Sequence, residues 1–235
     1  MAFDIYVGPA SRYQSGDWKN IGQQIAEEQG LKYVKAGPSK GLLGKLFKPK
    51  PEQVYARWRE QIRSAITSAG FNAPEWDDSP QQDYVTDRPG WEGHVAFVAQ
   101  FSYALNPELI PPSKSLTMPE LAEDPAFEAE LEKEGSPAVA IMSTQFFLPG
   151  TFAYAFNVTN FDGHPAGVAS LDLLDRAVAT ICEHCGFDRE QIARTPIDQV
   201  GEDATFAQAS LYGTSIYARL VNEALRRNLP LILDF

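Results

Sequence analysis

The alternation of apolar and polar positions says more about this chain than any motif does. Phe3, Ile5 and Val7 alternate with Asp4 and Tyr6, which is the period of a strand with one buried face. Gly8-Pro9 ends that strand, because proline has no amide hydrogen to give to a ladder. A polar loop, Ser11 to Asp17, then leads into Trp18, Ile21 and Ile25. This predicts a helix over 17–29, with Asp17 as N-cap and Gly30 as its stop. Residues 32–36 read as a short strand and are followed by a loop through Lys50. Val54, Trp58, Ile62 and Ile66 recur every four residues, so a helix is predicted over 51–69, with Pro51 tolerated in its first turn.

Residues 71–93 are irregular, with three prolines and two tryptophans. Residues 94–105 are apolar nearly throughout, which fits a buried helix or, as the rival reading, a buried strand. A proline-bearing connection covers 106–119, and a short acidic helix is predicted over 119–134. Strands are predicted over 138–142 and 151–159. In the second, Phe152, Tyr154, Phe156 and Val158 share one face, and Ala153, Ala155 and Asn157 share the other. Residues so small imply that something packs closely on that second face. Amphipathic helices are predicted over 168–185 and 204–227. A last buried strand is expected over 229–235, where Pro230 is acceptable only near the start. Helix outweighs strand in this order of elements. The predicted class is α+β, a small sheet packed with several long amphipathic helices. With 235 residues, 44% of them hydrophobic, one globular domain over 1–235 is expected, with 106–119 as the candidate subdomain boundary.

Charge changes the picture. The formal net charge is −11, and it is unevenly spread. Residues 1–70 carry a balance of +5 and residues 71–235 a balance of −16. Such a surface repels phosphate, so duplex nucleic acid is not an expected ligand, whereas a basic protein partner would be steered toward it. The positive balance sits largely in Lys32, Lys35, Lys40, Lys45, Lys48 and Lys50, with Leu42, Leu43, Leu46 and Phe47 among them. That run is a solvated excursion or a basic amphipathic patch. Gly44-Lys45 does not make a phosphate loop, because Ser39 stands where the first glycine belongs and Leu46 where the hydroxyl belongs. The start of the chain shows no basic and apolar leader, and no apolar run is long enough to span a bilayer. Two cysteines three residues apart cannot staple a fold of this size. A reducing, cytoplasmic setting is expected.

Three constellations could carry chemistry. Cys182-Glu183-His184-Cys185 puts two thiols on one helical face, but a zinc site wants a second such pair and there is none. No metal or other cofactor is expected. Asp162-Gly163-His164 could hold a general base with its orienting carboxylate, or be a plain polar turn. The stretch Trp76, Asp77, Asp78, Asp83, Asp87, Trp91 joins carboxylates to large aromatics. It suits an arginine-rich protein surface, a sugar or a cation, unless both tryptophans tuck into the core. There is no G-x-S-x-G, G-x-G-x-x-G or H-E-x-x-H.

The expectation from these features is an intracellular binding protein of bacterial type that acts by protein–protein contact. Its most concrete version is an acidic immunity or inhibitor protein that neutralises a basic toxin or enzyme, binding through Trp76, Asp77, Asp78, Asp83, Asp87 and Trp91. The alternative is a small-molecule hydrolase or transferase with its site at the loop after the first strand. There Arg12 would bind an anionic group, Tyr13 and Asp17 would orient it, and His94 or His164 would move a proton. A third reading is a structural subunit of a larger assembly, with the 32–50 loop as its arm.

Overall fold

The computed structural model describes residues 3–31, 50–79, 81–195, 197, 199–201 and 203–235. The strand expected over 32–36 and the lysine-rich loop lie outside the described residues, apart from Lys50. Helix occupies about 52% of the structure and strand about 13%, an α+β fold.

Among the described residues six strands form one mixed sheet: β1 (Asp4–Val7), β2 (Val85–Asp87), β3 (Thr144–Leu148), β4 (Phe156–Thr159), β5 (Pro165–Ser170) and β6 (Leu231–Asp234), in the order β2-β1-β6-β3-β5-β4. Only β3 and β5 are parallel; the other pairs are antiparallel. The first and last strands pair inside the sheet, with Ile5 opposite Leu233. Burial on both faces corrects the expectation of a one-faced first strand, since all four residues of β1 are buried.

On one face, Phe3, Ile5, Val7, Phe147, Ala169, Leu231 and Leu233 meet a helical layer. Its long members are α4 (Gly90–Leu105), α8 (Leu171–Cys185) and α10 (Phe206–Arg227). The rival strand reading of 94–105 is thereby excluded. α4 is buried all round from Gly93 to Tyr103, which explains why its sequence lacks a polar stripe. It crosses α10 backbone to backbone: a Cβ added at Gly213 would lie 2.1 Å from the Gly93 carbonyl oxygen. On the other face, Tyr6, Phe146, Leu148, Val158, Ala166, Val168 and Ile232 meet α3 (Pro51–Ser68) through Trp58, Ile62 and Ile66. Trp76 and a set of half-buried aromatic rings complete this second layer.

Several elements differ from expectation, each for a local reason. The helix expected over 17–29 is two helices, α1 (Ala10–Ser15) and α2 (Ile21–Glu28). Gly16, at φ 75°, ends the first. Asn20, not Asp17, caps the second, in a reciprocal capping box with Gln23. The acidic helix over 119–134 is also two, α5 (Met118–Ala122) and α6 (Pro125–Leu131). They are separated where Asp124 accepts the amides of Ala126 and Phe127. The strand expected over 138–142 is a helix, α7 (Pro137–Ser143), capped by Ser136 with proline in its first turn. β2, β3 and β5 are strands that the periodicity does not predict. The second half of β5, 168–170, falls inside the helix expected over 168–185, which begins only after Ser170 caps α8. Only Phe156–Thr159 of the 151–159 strand is paired. A tenth helix among the described residues, α9 (Arg189–Arg194), packs beside α10.

Candidate functional site

The most chemically varied ground lies where β1 gives way to α1, on the aromatic face. Gly8 makes the exit tight, since a Cβ there would lie 2.5 Å from the Tyr6 hydroxyl. That hydroxyl donates to the Pro9 carbonyl at 3.1 Å. Around it, Tyr13 stacks on Trp18 with ring centroids 5.3 Å apart, and Tyr6 stacks on Tyr84 at 5.6 Å. Tyr55, Trp58, Phe146 and Phe161 continue the cluster. Tyr13, Trp18, Tyr55, Tyr84 and Phe161 are half-buried, so their edges line a surface on the outer side of the core.

Polar groups stud this cluster. Asp78 accepts the Tyr55 hydroxyl, lies 3.2 Å from Arg59 Nη1 and accepts the Ser11 amide at 3.4 Å. Burial pushes its carboxyl up to about 6, against the pull of the Ser11 and Ala10 amides. Tyr13 donates to Asp234 Oδ1 at 2.7 Å. Burial, followed by the neighbouring Asp234 carboxylate, raises its phenol well above the usual range. Arg12 donates to the carbonyls of Asp17 at 2.6 Å and Gln82 at 3.1 Å, and its guanidinium lies 4.6 Å from the Tyr84 ring centroid. A carboxylic acid that titrates near neutrality beside a phenol and a guanidinium can exchange a proton with a polar ligand and hydrogen-bond it.

The structure therefore brings together residues that the sequence assigned to two different sites. Ser11 from the first loop bonds Asp78 from the acidic loop, Arg12 and Asp17 lie with Asp78 around Tyr6, and Tyr13 packs on the same ring. The rest of that loop disperses. Trp76 is buried at 6% exposure, donates to the Tyr55 hydroxyl at 3.2 Å and lies under the Arg59 guanidinium at 4.7 Å. Trp91 is on the opposite face of the sheet, half-buried against Phe3, His94 and Phe235. Asp77 accepts the Ser79 amide at 2.8 Å and Gln82 Nε2 at 2.6 Å, bonds that hold its carboxyl below the usual range. Asp87 pairs with Arg219. Asp83 is exposed, and its carbonyl accepts Arg227. Asp17 is exposed, 3.6 Å from Arg12 Nε.

The histidines stand apart from this ground. His94 is fully buried on the helical face, its Nδ1 2.6 Å from the Tyr217 hydroxyl and its ring 4.6 Å from Phe3. Burial takes its pKa down to about 3. The sheet separates it from Arg12. His164 is exposed, and Asp162 accepts its backbone amide at 3.0 Å, a turn contact that does not orient the imidazole. Cys182 and Cys185 are free thiols whose pKa values burial raises. Among the described residues no group of three or more His, Cys, Asp or Glu is placed to hold a metal ion. No described helix is long and apolar enough to cross a membrane.

Tyr55, Arg59, Tyr84, Phe161 and Asp234 are members of the aromatic cluster that sequence reasoning missed. Tyr55 and Arg59 lie one helical turn apart on either side of Trp58, which is the one signal that was legible. The others come from distant segments. The acidic balance of 71–134 has a separate outlet. Glu123, Glu128, Glu132 and Glu134 on and beside α5 and α6 are exposed and make no ion pair among the described residues. Leu131 beside them is 52% exposed, and Lys133 is engaged with the buried Glu130 at 2.6 Å. No family model, curated protein or solved structure matches the chain.

Proposed function

We propose that the protein binds a basic protein partner through the α5–α6 surface, as an immunity or inhibitor protein binds the toxin or enzyme it neutralises. The observation that carries this reading is the contrast between two sets of carboxylates. In the 75–87 loop Glu75, Asp78 and Asp87 face Arg59, Arg63 and Arg219. Those of Glu123, Glu128, Glu132 and Glu134 face solvent around the exposed Leu131. Unpaired surface charge steers encounter, and an apolar residue among the charges gives the complex a contact that salt does not screen. The test begins with a cationic partner purified by co-isolation from the native cell. Changing the four glutamates to glutamine is expected to slow association by about tenfold or more in low salt, with a smaller effect on dissociation. Failure to recover any partner, or an unchanged association rate, sinks the reading.

A second reading, a small-molecule site in the aromatic cluster, is favoured by Asp78 alone, because its carboxyl titrates near 6 beside Tyr55 and Arg59. Ligand binding there would follow pH with a limb near 6 that Asp78→Asn removes. A flat profile across that range would exclude it.

A further inference from the structure

The two edges of the sheet are finished differently. β2 has only three residues, and α2 reaches over it: Gln24 Nε2 donates to Thr86 Oγ1 at 2.6 Å. Asp87 at its end is paired with Arg219. Short, covered, charged edges resist pairing with another chain. β4 is less covered: α3 packs beside it, and one side-chain contact reaches its outer backbone. It pairs with β5 on one side only. Its outward amide at Thr159 is met by a side chain, Gln61 Oε1 at 3.2 Å. Backbone groups point to the two sides of a strand alternately, so Asn157 shares the outward direction with Thr159. Nothing among the described residues bonds the Asn157 backbone there. Upstream, residues 151–155 make no backbone hydrogen bond at all among the described residues. The strand period continues through them, with Phe152 buried and Tyr154 half-buried between the exposed Ala153 and Ala155, so the alternation that turns the Asn157 and Thr159 amides outward extends to Ala155 and Ala153.

This edge is flanked by a cavity on each side. Asn157 and Gly167 lie on the helical face, since their neighbours Phe156 and Val168 belong to the aromatic core. On the helical side a cavity of about 490 Å³ runs against Ala153 and Ala155, walled by Val139, Ala140 and Leu173 and rimmed by Lys133 and Arg176. Those two cations are matched by Glu130 and Asp172, so the cavity is close to neutral. On the α3 side a groove of about 590 Å³ runs between Gln61, Ser64 and Ala65 and the residues Asn157 and Val158.

We propose that an extended peptide segment of another protein adds to β4 as a seventh strand, hydrogen-bonded to the outward backbone of Ala153, Ala155 and Asn157. A strand sends successive side chains to opposite faces, so one added there places alternate side chains in the cavity beside α7 and α8 and in the groove beside α3. Unpaired backbone groups call for a backbone partner, and the alanines leave room for large apolar side chains. A second copy of this chain fits less well. Paired about an axis normal to the sheet, it would bring its own Ala153 and Ala155 to the cavity and leave it empty. This site uses neither the α5–α6 carboxylates nor salt-dependent steering, so it stands or falls independently of the basic-partner reading.

The probe is a random nonapeptide library displayed on phage and selected on the full chain, with the selected sequences remade as synthetic peptides. The expected peptides carry bulky apolar residues at alternate positions and protect the amides of Ala153, Ala155 and Asn157 from hydrogen exchange. Ala155→Pro deletes an outward amide at an edge position, where proline is compatible with the fold. It should weaken binding about tenfold or more, the scale of a lost hydrogen bond with its neighbours, with an unchanged melting temperature. Ala155→Trp should do the same by filling the cavity from an exposed position, and it carries the test if the proline variant fails to fold. The proposal is overturned if the library yields no binder, or if selected peptides bind the folded Ala155 variants with unchanged affinity. It is equally overturned if these amides are already protected in a free protein that sediments as a dimer.

Discussion

On one face of the sheet Ile5, Val7, Phe147 and Leu231 meet three long helices; on the other Tyr6, Phe146 and Ile232 meet one helix, a buried tryptophan and a ring of half-buried aromatics. The first face is held by area. Its side chains are mostly aliphatic or small, and α4 and α10 approach until Gly93 and Gly213 touch. The second is held by rings with polar tips. Tyr6, Tyr13, Tyr55, Trp76 and Tyr154 each bury an apolar body and donate from the far end to Pro9, Asp234, Asp78, Tyr55 and Ala65. Tyrosine and tryptophan suit a layer that is part core and part surface, because one end can be dry and the other bonded. The lesson is that a face covered by helices leaves few side chains free for chemistry. A face covered by one helix and loops keeps carboxylates and guanidinia within reach of both solvent and core.

The largest test of this contrast is on the aromatic side. Trp58 is 1% exposed and touches Tyr55, Trp76, Phe146 and Phe161. Trp58→Ala is expected to cost about 3–5 kcal/mol in denaturant unfolding, as for other large-to-small core changes. A loss below about 1 kcal/mol would mean that α3 is only loosely docked, and would break the picture of an aromatic layer as a second core.

A smaller effect should separate the faces by pH, with opposite signs. His94 on the helical face has its folded pKa depressed to about 3. Its contribution is present above the unfolded value and is lost as pH falls toward the folded one, amounting to about 2 kcal/mol between pH 7 and pH 5. Asp78 on the aromatic face has its folded pKa raised to about 6. Its contribution is present below the unfolded carboxylate value and is lost as pH rises through the folded one. Going from pH 7 to pH 5 it therefore returns about 1 kcal/mol. His94→Gln should flatten or reverse the wild-type loss of stability on acidification, and Asp78→Asn should steepen it. Urea midpoints measured at half-unit pH steps check both, and two variants with parallel profiles would show that the faces are not electrostatically distinct.

How much of this was legible can be read from particular elements. α3, α8 and α10 were visible because each buries one face and stamps an amphipathic period on more than a dozen positions, whereas α4, apolar all round, read as helix or strand. Asp4–Val7 was visible by its alternation before Gly8-Pro9, and the closing strand as a short apolar run at an Asn-Leu-Pro boundary. β3 and β5 were not, because a fully buried strand has no polar alternation and its residues read equally well as a helix. α7 was misread for the same reason in the other direction. In the candidate site, Arg12, Tyr13, Asp17 and Asp78 were each noticed, but as members of rival sites. The sequence by itself determined the class of the fold, the long helices, the acidic imbalance and the small residues along one side of 151–159. Those are properties of neighbours in the chain, set by local periodicity and composition. Only the tertiary structure decided that Asp78 meets Ser11, that Trp76 and Trp91 part to opposite faces, and that β4 ends the sheet with outer backbone left unbonded. Each depends on strand order, and strand order is fixed by how the buried surfaces of segments up to 230 residues apart pack against one another.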